Sequence, residues 1–303
     1  MSLLIIGTLA FDDIETPAGR AESEIGGSAS YAAVAASFST PTRVVAIVGQ
    51  DFPEATLEDL RKRGVDTRGV TRASGKSFRW SGRYHENMNI RDTLDTQLNV
   101  LTEFRPELPD AYRESEYVFL GNIDPELQIS VLDQLRGPRL VACDTMNFWI
   151  SGSRPALLRL LPRIDLLIIN DEEARELAGE HNIVKAARAI RGLGPRRLLV
   201  KRGEYGALAF DGDSVFAMPA YPLEQVFDPT GAGDTFAGGC LGHLARAGGD
   251  LSHAELRRAI AHGSVMASLV VERFGLRRLW DLTPADIDAR YQAFVRLTEF
   301  RTP

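Results

Sequence analysis

The sequence predicts an α/β fold in which a mainly parallel central sheet is covered by helices on both faces. Three observations predict it. Short apolar runs alternate with amphipathic helical patterns along the chain, as expected for a parallel sheet buried on both faces. Two polar segments, at about 11–25 and 77–101, interrupt this alternation. A turn of small residues then runs directly into a helix in the last third of the chain.

Six short apolar runs are predicted to be buried strands. They are Leu3–Ile6, Val44–Val48, Tyr117–Leu120, Leu140–Ala142, Leu166–Ile169 and Leu198–Val200. Apolar residues at helical spacing predict helices at Ala55–Lys62, Pro125–Leu135, Glu172–Ala178, Ile183–Ile190, His253–Val271 and Pro284–Leu297. Ligands of such sheets bind beyond the carboxyl ends of the strands, so the loops that follow the strands are the candidates for a site.

The two interrupting segments are predicted to form one small sheet that projects from the main layers. Segment 77–101 alternates in part between apolar and polar residues, which suits a half-exposed antiparallel sheet. Segment 11–25 is polar and contains Pro17 and Gly19. An ordinary surface hairpin is the alternative. No internal repeat is visible, and residues 1–303 are expected to form a single large domain.

The charge balance limits the partners of the protein. Lys and Arg number 35 against 41 Asp and Glu, a net charge of −6, which argues against general binding to nucleic acid or an anionic membrane. The first residues lack a basic region and a long apolar run, so no signal peptide or membrane span is expected. Cys143 and Cys240 are predicted to be core thiols, which fits a cytoplasmic protein.

The most informative segment is residues 228–239, which read Asp-Pro-Thr-Gly-Ala-Gly-Asp-Thr-Phe-Ala-Gly-Gly. Helical spacing from Phe236 onward places the preceding small residues at a helix N-terminus, where free N–H groups and the helix dipole bind anions. Asp234 would repel a bound phosphate, and its presence is explained if it accepts the proton of an attacking hydroxyl. The segment therefore predicts a kinase for small alcohols. The alternative is an ordinary turn whose Asp stabilises the dipole.

The segment also resembles the C-terminal signature of the ribokinase-like (PfkB) carbohydrate kinases. Gly26 and Gly27, which open an Ala-rich helix, resemble the N-terminal signature of that family. The matching motifs run from Gly7 to near Phe274. The resemblance implies a ribokinase-like three-layer αβα sandwich whose small sheet is a lid over the acceptor and often a homodimer interface.

The resemblance implies an ATP-dependent kinase that transfers the γ-phosphoryl group to a hydroxyl of a sugar-like substrate. Two alternatives stay open: an adenosine-type nucleoside kinase of the same family, and a catalytically silent sensor of sugars or nucleotides. Asp234 would be the catalytic base, and the backbone of Gly231, Ala232 and Gly233 would form the anion hole.

Further site residues follow from the matching motifs and from polar residues in the lid. The acceptor would meet Asp12, Gly26, Gly27, Tyr31, Asn89, Arg91 and Asn122. Tyr31 stands where the family commonly has Asn, and either stacks on a ring of the substrate or belongs to the core. ATP would meet Asn170, Lys201, Gly203, Gly206, Thr230, His262 and Gly263.

Asn170 and Glu173 match the Asn-x-x-Glu motif that the family uses for Mg²⁺ and phosphate. Mg²⁺ keeps several waters, so a carboxamide and a carboxylate can hold it through its water shell. A capped helix start with acidic first-turn residues is the alternative. Some family members need K⁺ held by backbone carbonyls near the C-terminal signature, and a requirement for K⁺ stays open here.

Overall fold

Residues 2–299, which the computed structural model describes, contain thirteen strands. In chain order these are β1 (Leu3–Ile6), β2 (Ala10–Thr16), β3 (Gly19–Gly26), β4 (Thr42–Val48), β5 (Val65–Arg72), β6 (Arg79–Tyr84), β7 (Arg91–Gln97), β8 (Tyr117–Leu120), β9 (Leu140–Cys143), β10 (Leu166–Asn170), β11 (Arg197–Lys201), β12 (Ala207–Asp211) and β13 (Ser214–Met218).

Nine of these strands form the central sheet, in the order β13-β12-β11-β10-β9-β8-β1-β4-β5. Its pairs are parallel from β5 to β11, while β12 and β13 run antiparallel at one edge. Each of the six predicted strands lies in this sheet. The edge strand β5 was not predicted, because it is rich in polar residues and only one of its faces is buried.

The same 298 residues contain twelve α-helices, which cover both faces of the sheet. They are α1 (Ser28–Ser37), α2 (Glu54–Lys62), α3 (Asp110–Arg113), α4 (Pro125–Leu132), α5 (Asn147–Gly152), α6 (Arg154–Leu160), α7 (Asp171–Ala178), α8 (Ile183–Arg191), α9 (Ala232–Arg246), α10 (His253–Val270), α11 (Arg277–Asp281) and α12 (Pro284–Thr298). Short 3₁₀ turns lie at Asn99–Glu103, Leu161–Arg163 and Gly203–Tyr205.

The two faces of the sheet belong to two separate hydrophobic cores. Because side chains alternate along a strand, Leu3 and Ile5 of β1 pack in one core with α1, α9 and α10. Leu4 and Ile6 pack in the other core with α4, α6, α7 and α8. The predicted three-layer αβα sandwich is confirmed by this arrangement.

The remaining four strands form the small sheet, in the order β3-β2-β6-β7. Strands β2 and β6 pair in parallel, whereas the other two pairs are antiparallel. The prediction of an antiparallel sheet was therefore wrong at its centre, where two segments distant in the chain meet side by side. Strand β3 leads directly into α1, and Phe11 of β2 and Ile25 of β3 pack with the core that contains α1 and α9.

Within the described part of the chain, no helix combines the length and the apolar character that a membrane crossing requires.

Candidate active site

The N-terminus of α9 has a backbone shape that favours glycine. Gly231 caps the helix in the left-handed region, with φ of 72°. A Cβ at this position would lie 2.3 Å from ring atoms of Tyr31, so Tyr31 packs directly against the turn. Only 1% of Tyr31 is exposed. The ring therefore belongs to the core, which decides between the two roles that the sequence left open. Its buried Oη has no hydrogen-bond partner among the described residues.

Two N–H groups of this turn are free. The N–H of Ala232 donates to the Pro229 carbonyl at 3.1 Å, so it is not available as predicted for an anion hole. The N–H of Asp234 is bonded to its own carboxylate. Among residues 2–299, no acceptor is bonded to the N–H of Gly231 or Gly233. These two donors lie where the helix dipole is positive, an arrangement that suits an anion.

Asp234 lies in the first turn of α9, half-buried beside these donors. Burial raises the pKa of its carboxyl to about 7, and the negative charge of Asp144 adds to the effect. The positive charges of Lys201 and Arg91 oppose this rise in pKa. A carboxylate with a pKa near neutrality is suited to accept a proton at physiological pH.

A buried ion pair lies next to this carboxylate. Lys201 Nζ and Asp144 Oδ2 are 3.0 Å apart at the ends of β11 and β9. A Cβ on Gly233 would lie 3.0 Å from Lys201 Nζ, so the ammonium group reaches the start of α9. Asp144 was not predicted as a site residue. Its position directly after an apolar strand, at the edge of the sheet where ligands bind, could have indicated it.

Asn170 and Glu173 form a reciprocal cap on α7. Asn170 Oδ1 accepts from the Glu173 N–H, and Glu173 Oε2 accepts from the Asn170 N–H, each at 2.8 Å. This is the capped helix start that the sequence left as an alternative. The second carboxylate oxygen of Glu173 has no hydrogen-bond partner among the described residues. Burial raises the pKa of Glu173 to about 7, with a further contribution from Asp144.

The charges at this edge fit a divalent cation held through water. Burial and the nearby charge of Asp144 raise the pKa of both Glu173 and Asp234, and the positive charge of Lys201 opposes that rise. Among the described residues, no group of three or more His, Cys, Asp or Glu could hold a metal by itself. Mg²⁺ commonly takes only one or two carboxylates and fills its remaining positions with water and phosphate oxygens.

The predicted acceptor loop comes together within electrostatic range of Asp234. Asp12 of β2 is only 4% exposed. Burial, together with the charges of Asp228 and Asp234, raises its pKa to about 8. A Cβ on Gly26 would lie 1.9 Å from Asp12 Oδ2, and Gly27 is left-handed with φ of 91°. The glycine pair therefore lets the carboxylate approach the backbone.

The small sheet contacts the turn before α9 through Tyr84, which the sequence did not single out. Tyr84 is 7% exposed, and its Oη lies 3.2 Å from Thr230 Oγ1. Thr230 was predicted as an ATP contact, but its hydroxyl meets this tyrosine and its N–H donates to Asp228. Arg91 pairs with Tyr84 in the sheet register and makes a polar contact with its hydroxyl.

A cleft of about 790 Å³ opens against the α9 turn, which contributes Pro229, Ala232 and Gly233 to its lining. Three of the predicted ATP residues, Lys201, Gly203 and Gly206, line it. The other walls are mostly apolar or small, and include Tyr221, Leu223, Val226, Pro229, Phe236, Ser264, Ala267, Ser268 and Val271. Its size and its contact with the anion site suit a nucleotide.

The prediction that His262 and Gly263 line this cleft was wrong. His262 stacks between His243 and Tyr291, with ring centroids 4.3 and 4.5 Å away. Gly263 packs against α9, where a Cβ would lie 2.4 Å from the Cys240 sulfur. The rotation of α10 presents a different stripe, which includes Ser264, Ala267 and Ser268, to the cleft.

Two predicted acceptor contacts also have other partners. Asn89, in the loop between β6 and β7, lines the cleft and donates to Glu204 Oε1 at 3.0 Å. It therefore lies with the predicted ATP residues rather than with Asp12. Asn122 follows β8, and its Oδ1 accepts from Trp149 Nε1 at 2.9 Å. Its side chain thus helps to order the loop after β9.

Comparisons with known proteins agree with this geometry. The family model of the pfkB family carbohydrate kinases matches residues 5–282. The cytidine kinase of Thermococcus kodakarensis is 30% identical over 251 residues, 81% of this chain and 89% of that protein. The nucleoside kinase of Methanocaldococcus jannaschii is 25% identical over 254 residues, 75% of this chain and 81% of that protein. The structure of a putative ribokinase II from E. coli with ATP and Mg²⁺ has a TM-score of 0.78 at 18% identity, over 96% of this chain and 99% of that one.

Proposed function

Because the chain belongs to the pfkB family of carbohydrate kinases, we propose that it transfers the γ-phosphoryl group of ATP to a hydroxyl of a nucleoside or a related sugar. The observation that carries this proposal is the turn before α9. There the half-buried Asp234 stands beside the free N–H groups of Gly231 and Gly233, in a turn that lines the cleft and within electrostatic range of Asp12.

Asp234 is the proton acceptor in this proposal. The acceptor oxygen attacks the γ-phosphorus, the bond from that phosphorus to the bridging oxygen breaks, and the hydroxyl proton passes to the carboxylate. ADP leaves with the bridging oxygen. Phosphoryl transfer has a loose transition state, so most of the catalysis comes from positioning and charge stabilisation. The pKa of Asp234, raised by burial to about 7, supports the role of a base.

The backbone N–H groups of Gly231 and Gly233 stabilise the charge of the transferring group. Lys201 reaches the same turn and contributes a point charge toward the phosphates. When bound with ATP, Mg²⁺ supplies positive charge to phosphate oxygens, and Asn170 and Glu173 are the residues that would hold it through its water shell.

The acceptor side favours a nucleoside. In this proposal Asp12 accepts hydrogen bonds from sugar hydroxyls. Trp80 is its partner in the register between β2 and β6, and side chains opposite each other in a sheet share a face. The indole ring therefore stands on the face of the small sheet that carries Asp12. Aromatic rings stack on nucleobases. The similarity to a cytidine kinase and a nucleoside kinase supports the same class.

The test is ADP formation with Mg-ATP against nucleosides, pentoses, hexoses and inositols, with and without K⁺, using Asp234→Asn as the blank. We expect a nucleoside to give the highest kcat/KM, and the substitution to lower turnover at least ~10²-fold. If a free sugar gave the highest kcat/KM, the protein would still be a kinase, but its acceptor would be that sugar and not a nucleoside. No turnover on the panel, together with measurable ATP binding, would favour the silent sensor.

A further inference from the structure

The apolar part of the cleft is walled by a loop and by one face of α10. Residues 219–231, which join β13 to α9, contain neither helix nor strand. Tyr221, Leu223 and Val226 of this loop line the cleft together with Ala267 and Ser268 of α10. Lys201 and the start of α9 are the part of the lining that suits phosphate, so the apolar part is left for the nucleobase. A loop that binds a flat ring needs neighbours that fix its shape.

Arg290 of α12 contacts this wall from outside the cleft. Its guanidinium carbon lies 4.4 Å from the centre of the Tyr221 ring, the shortest cation–π contact among the described residues. Its Nη1 donates to Ser268 Oγ at 3.0 Å. Tyr221 and Ser268 both line the cleft, whereas Arg290 is not among the described residues that do. The guanidinium therefore holds two lining side chains from behind.

The guanidinium is itself fixed by an acidic partner. Arg290 Nη2 donates to Glu272 Oε1 at 2.5 Å, and only 17% of the Arg290 side chain is exposed. Glu272 also accepts from Arg278 Nε, at 2.9 Å. A planar guanidinium can stack on a ring through its face while its N–H groups donate along its edges. One buried side chain thus sets the positions of both Tyr221 and Ser268.

We propose that Arg290 is a positioning residue for the phosphoryl donor, which keeps the Tyr221 ring and Ser268 where the nucleobase of ATP binds. The inference rests on the proposed function. Aromatic rings stack on the faces of nucleobases, and Tyr221 offers the cleft such a ring. Arg290 contacts neither the donor nor the reacting atoms, so its effect on the donor passes through these two side chains.

This role predicts a particular kinetic pattern. The nucleobase does not change during phosphoryl transfer, so contacts to it act equally in the ground and transition states. Their loss raises the KM of ATP and leaves kcat nearly unchanged. We expect Arg290→Met, which keeps the apolar stem, to raise the KM of ATP about five- to twentyfold. Both kcat and the KM of the acceptor should stay within about threefold of the wild type.

Arg278→Met is the matched control. Arg278 binds the same carboxylate as Arg290 and is 19% exposed against 17%, but it makes no contact with Tyr221 or Ser268 among the described residues. The two variants should therefore lower stability in urea to a similar extent, while Arg278→Met leaves the KM of ATP within about twofold. Arg290→Lys keeps the charge without the planar group, so it should give an intermediate KM.

Calorimetric binding separates the nucleobase from the phosphates. In Arg290→Met, the Kd of ADP should rise about five- to twentyfold. The Kd of inorganic tripolyphosphate, which has no base, should stay within about twofold, since the glycine turn and Lys201 are unchanged. Tyr221→Leu should weaken ADP in the same way. Adding Arg290→Met to Tyr221→Leu should weaken ADP by no more than about a further twofold, because the two residues act together.

Two results would overturn the assignment. If Arg278→Met weakens ADP as much as Arg290→Met does, or if tripolyphosphate and ADP lose affinity together, Arg290 only supports the fold. Either result would leave the proposed function intact, because the wild-type protein would still phosphorylate its acceptor. The proposed function fails only if the wild-type protein phosphorylates none of the acceptors, and ADP binding can be measured in that case too.

Discussion

Asp234→Asn should make the protein more stable while removing its activity. Burial raises the pKa of this carboxyl from 3.8 to about 7, so the folded state binds its proton more tightly than the unfolded state does. The group therefore favours folding fully only below about pH 4. That contribution is lost as the pH rises to about 7, and above that pH the folded protein carries a buried charge at a constant cost. An amide has no such charge.

The size of the effect follows from the pKa. The pKa of Asp234 rises by about three units. At 1.36 kcal/mol for each unit, the free energy of unfolding changes by about 4 kcal/mol at most. Asp234 is only half-buried, and solvent screens part of the penalty, so we expect about 1–3 kcal/mol at pH 8. The advantage of the amide should be smaller at pH 5 and grow between pH 5 and pH 7.

Urea unfolding followed by circular dichroism at pH 5, 6, 7 and 8 measures this difference. Glu58→Gln, an exposed carboxylate of α2, is the matched control and should leave stability within about 0.5 kcal/mol of the wild type at each pH. The wild-type kcat/KM should rise with pH through about 7, because the base must be deprotonated. A stability gap that does not change with pH, or a wild type that is the more stable protein at pH 8, would refute the reasoning.

Three further outcomes are expected. Gly231→Ala should lower the free energy of unfolding, measured in urea, by about 1–3 kcal/mol and should lower kcat at least tenfold. Gly248 is also left-handed but lies in open space, so Gly248→Ala should lower the free energy of unfolding only by the backbone strain of about 1 kcal/mol. Glu173→Gln keeps an oxygen that can cap α7, so α7 should stay folded while the Mg²⁺ concentration for half-maximal activity rises. The matched change Asp286→Asn, in the cap of α12, should leave that Mg²⁺ concentration unchanged. Ala267→Leu narrows the cleft and should raise the KM of ATP while leaving that of the acceptor unchanged.

The turn before α9 could be predicted because its sequence signals are local. Gly231 and Asp234 lie three positions apart, and the spacing after Phe236 marks where the helix begins. The structure has α9 beginning at residue 232 and a left-handed glycine before it. The sequence could not indicate that the Ala232 N–H would turn back to Pro229, because that bond depends on the exact path of the turn.

The errors occurred where a residue's role depends on contacts between distant segments. Asn89 lies in the lid by sequence, but its partner Glu204 is 115 positions away on the nucleotide side. His262 lies on the expected helix, yet the rotation of α10 turns it toward His243 and Tyr291. Asp144 gains its importance only from Lys201, 57 positions later. No local pattern encodes such pairs.

The sequence by itself determined six buried strands of the central sheet, the carboxyl edge on which their loops gather, and the glycine turn with its carboxylate at the start of α9. These features follow from apolar periodicity and backbone preference, which act over a few neighbouring residues. Only the tertiary structure decided that Tyr31 supports the turn from the core, that Tyr84 joins the small sheet to Thr230, and which stripe of α10 lines the cleft. Those choices depend on how whole elements pack and rotate against one another, and that packing is set by the complete set of buried contacts.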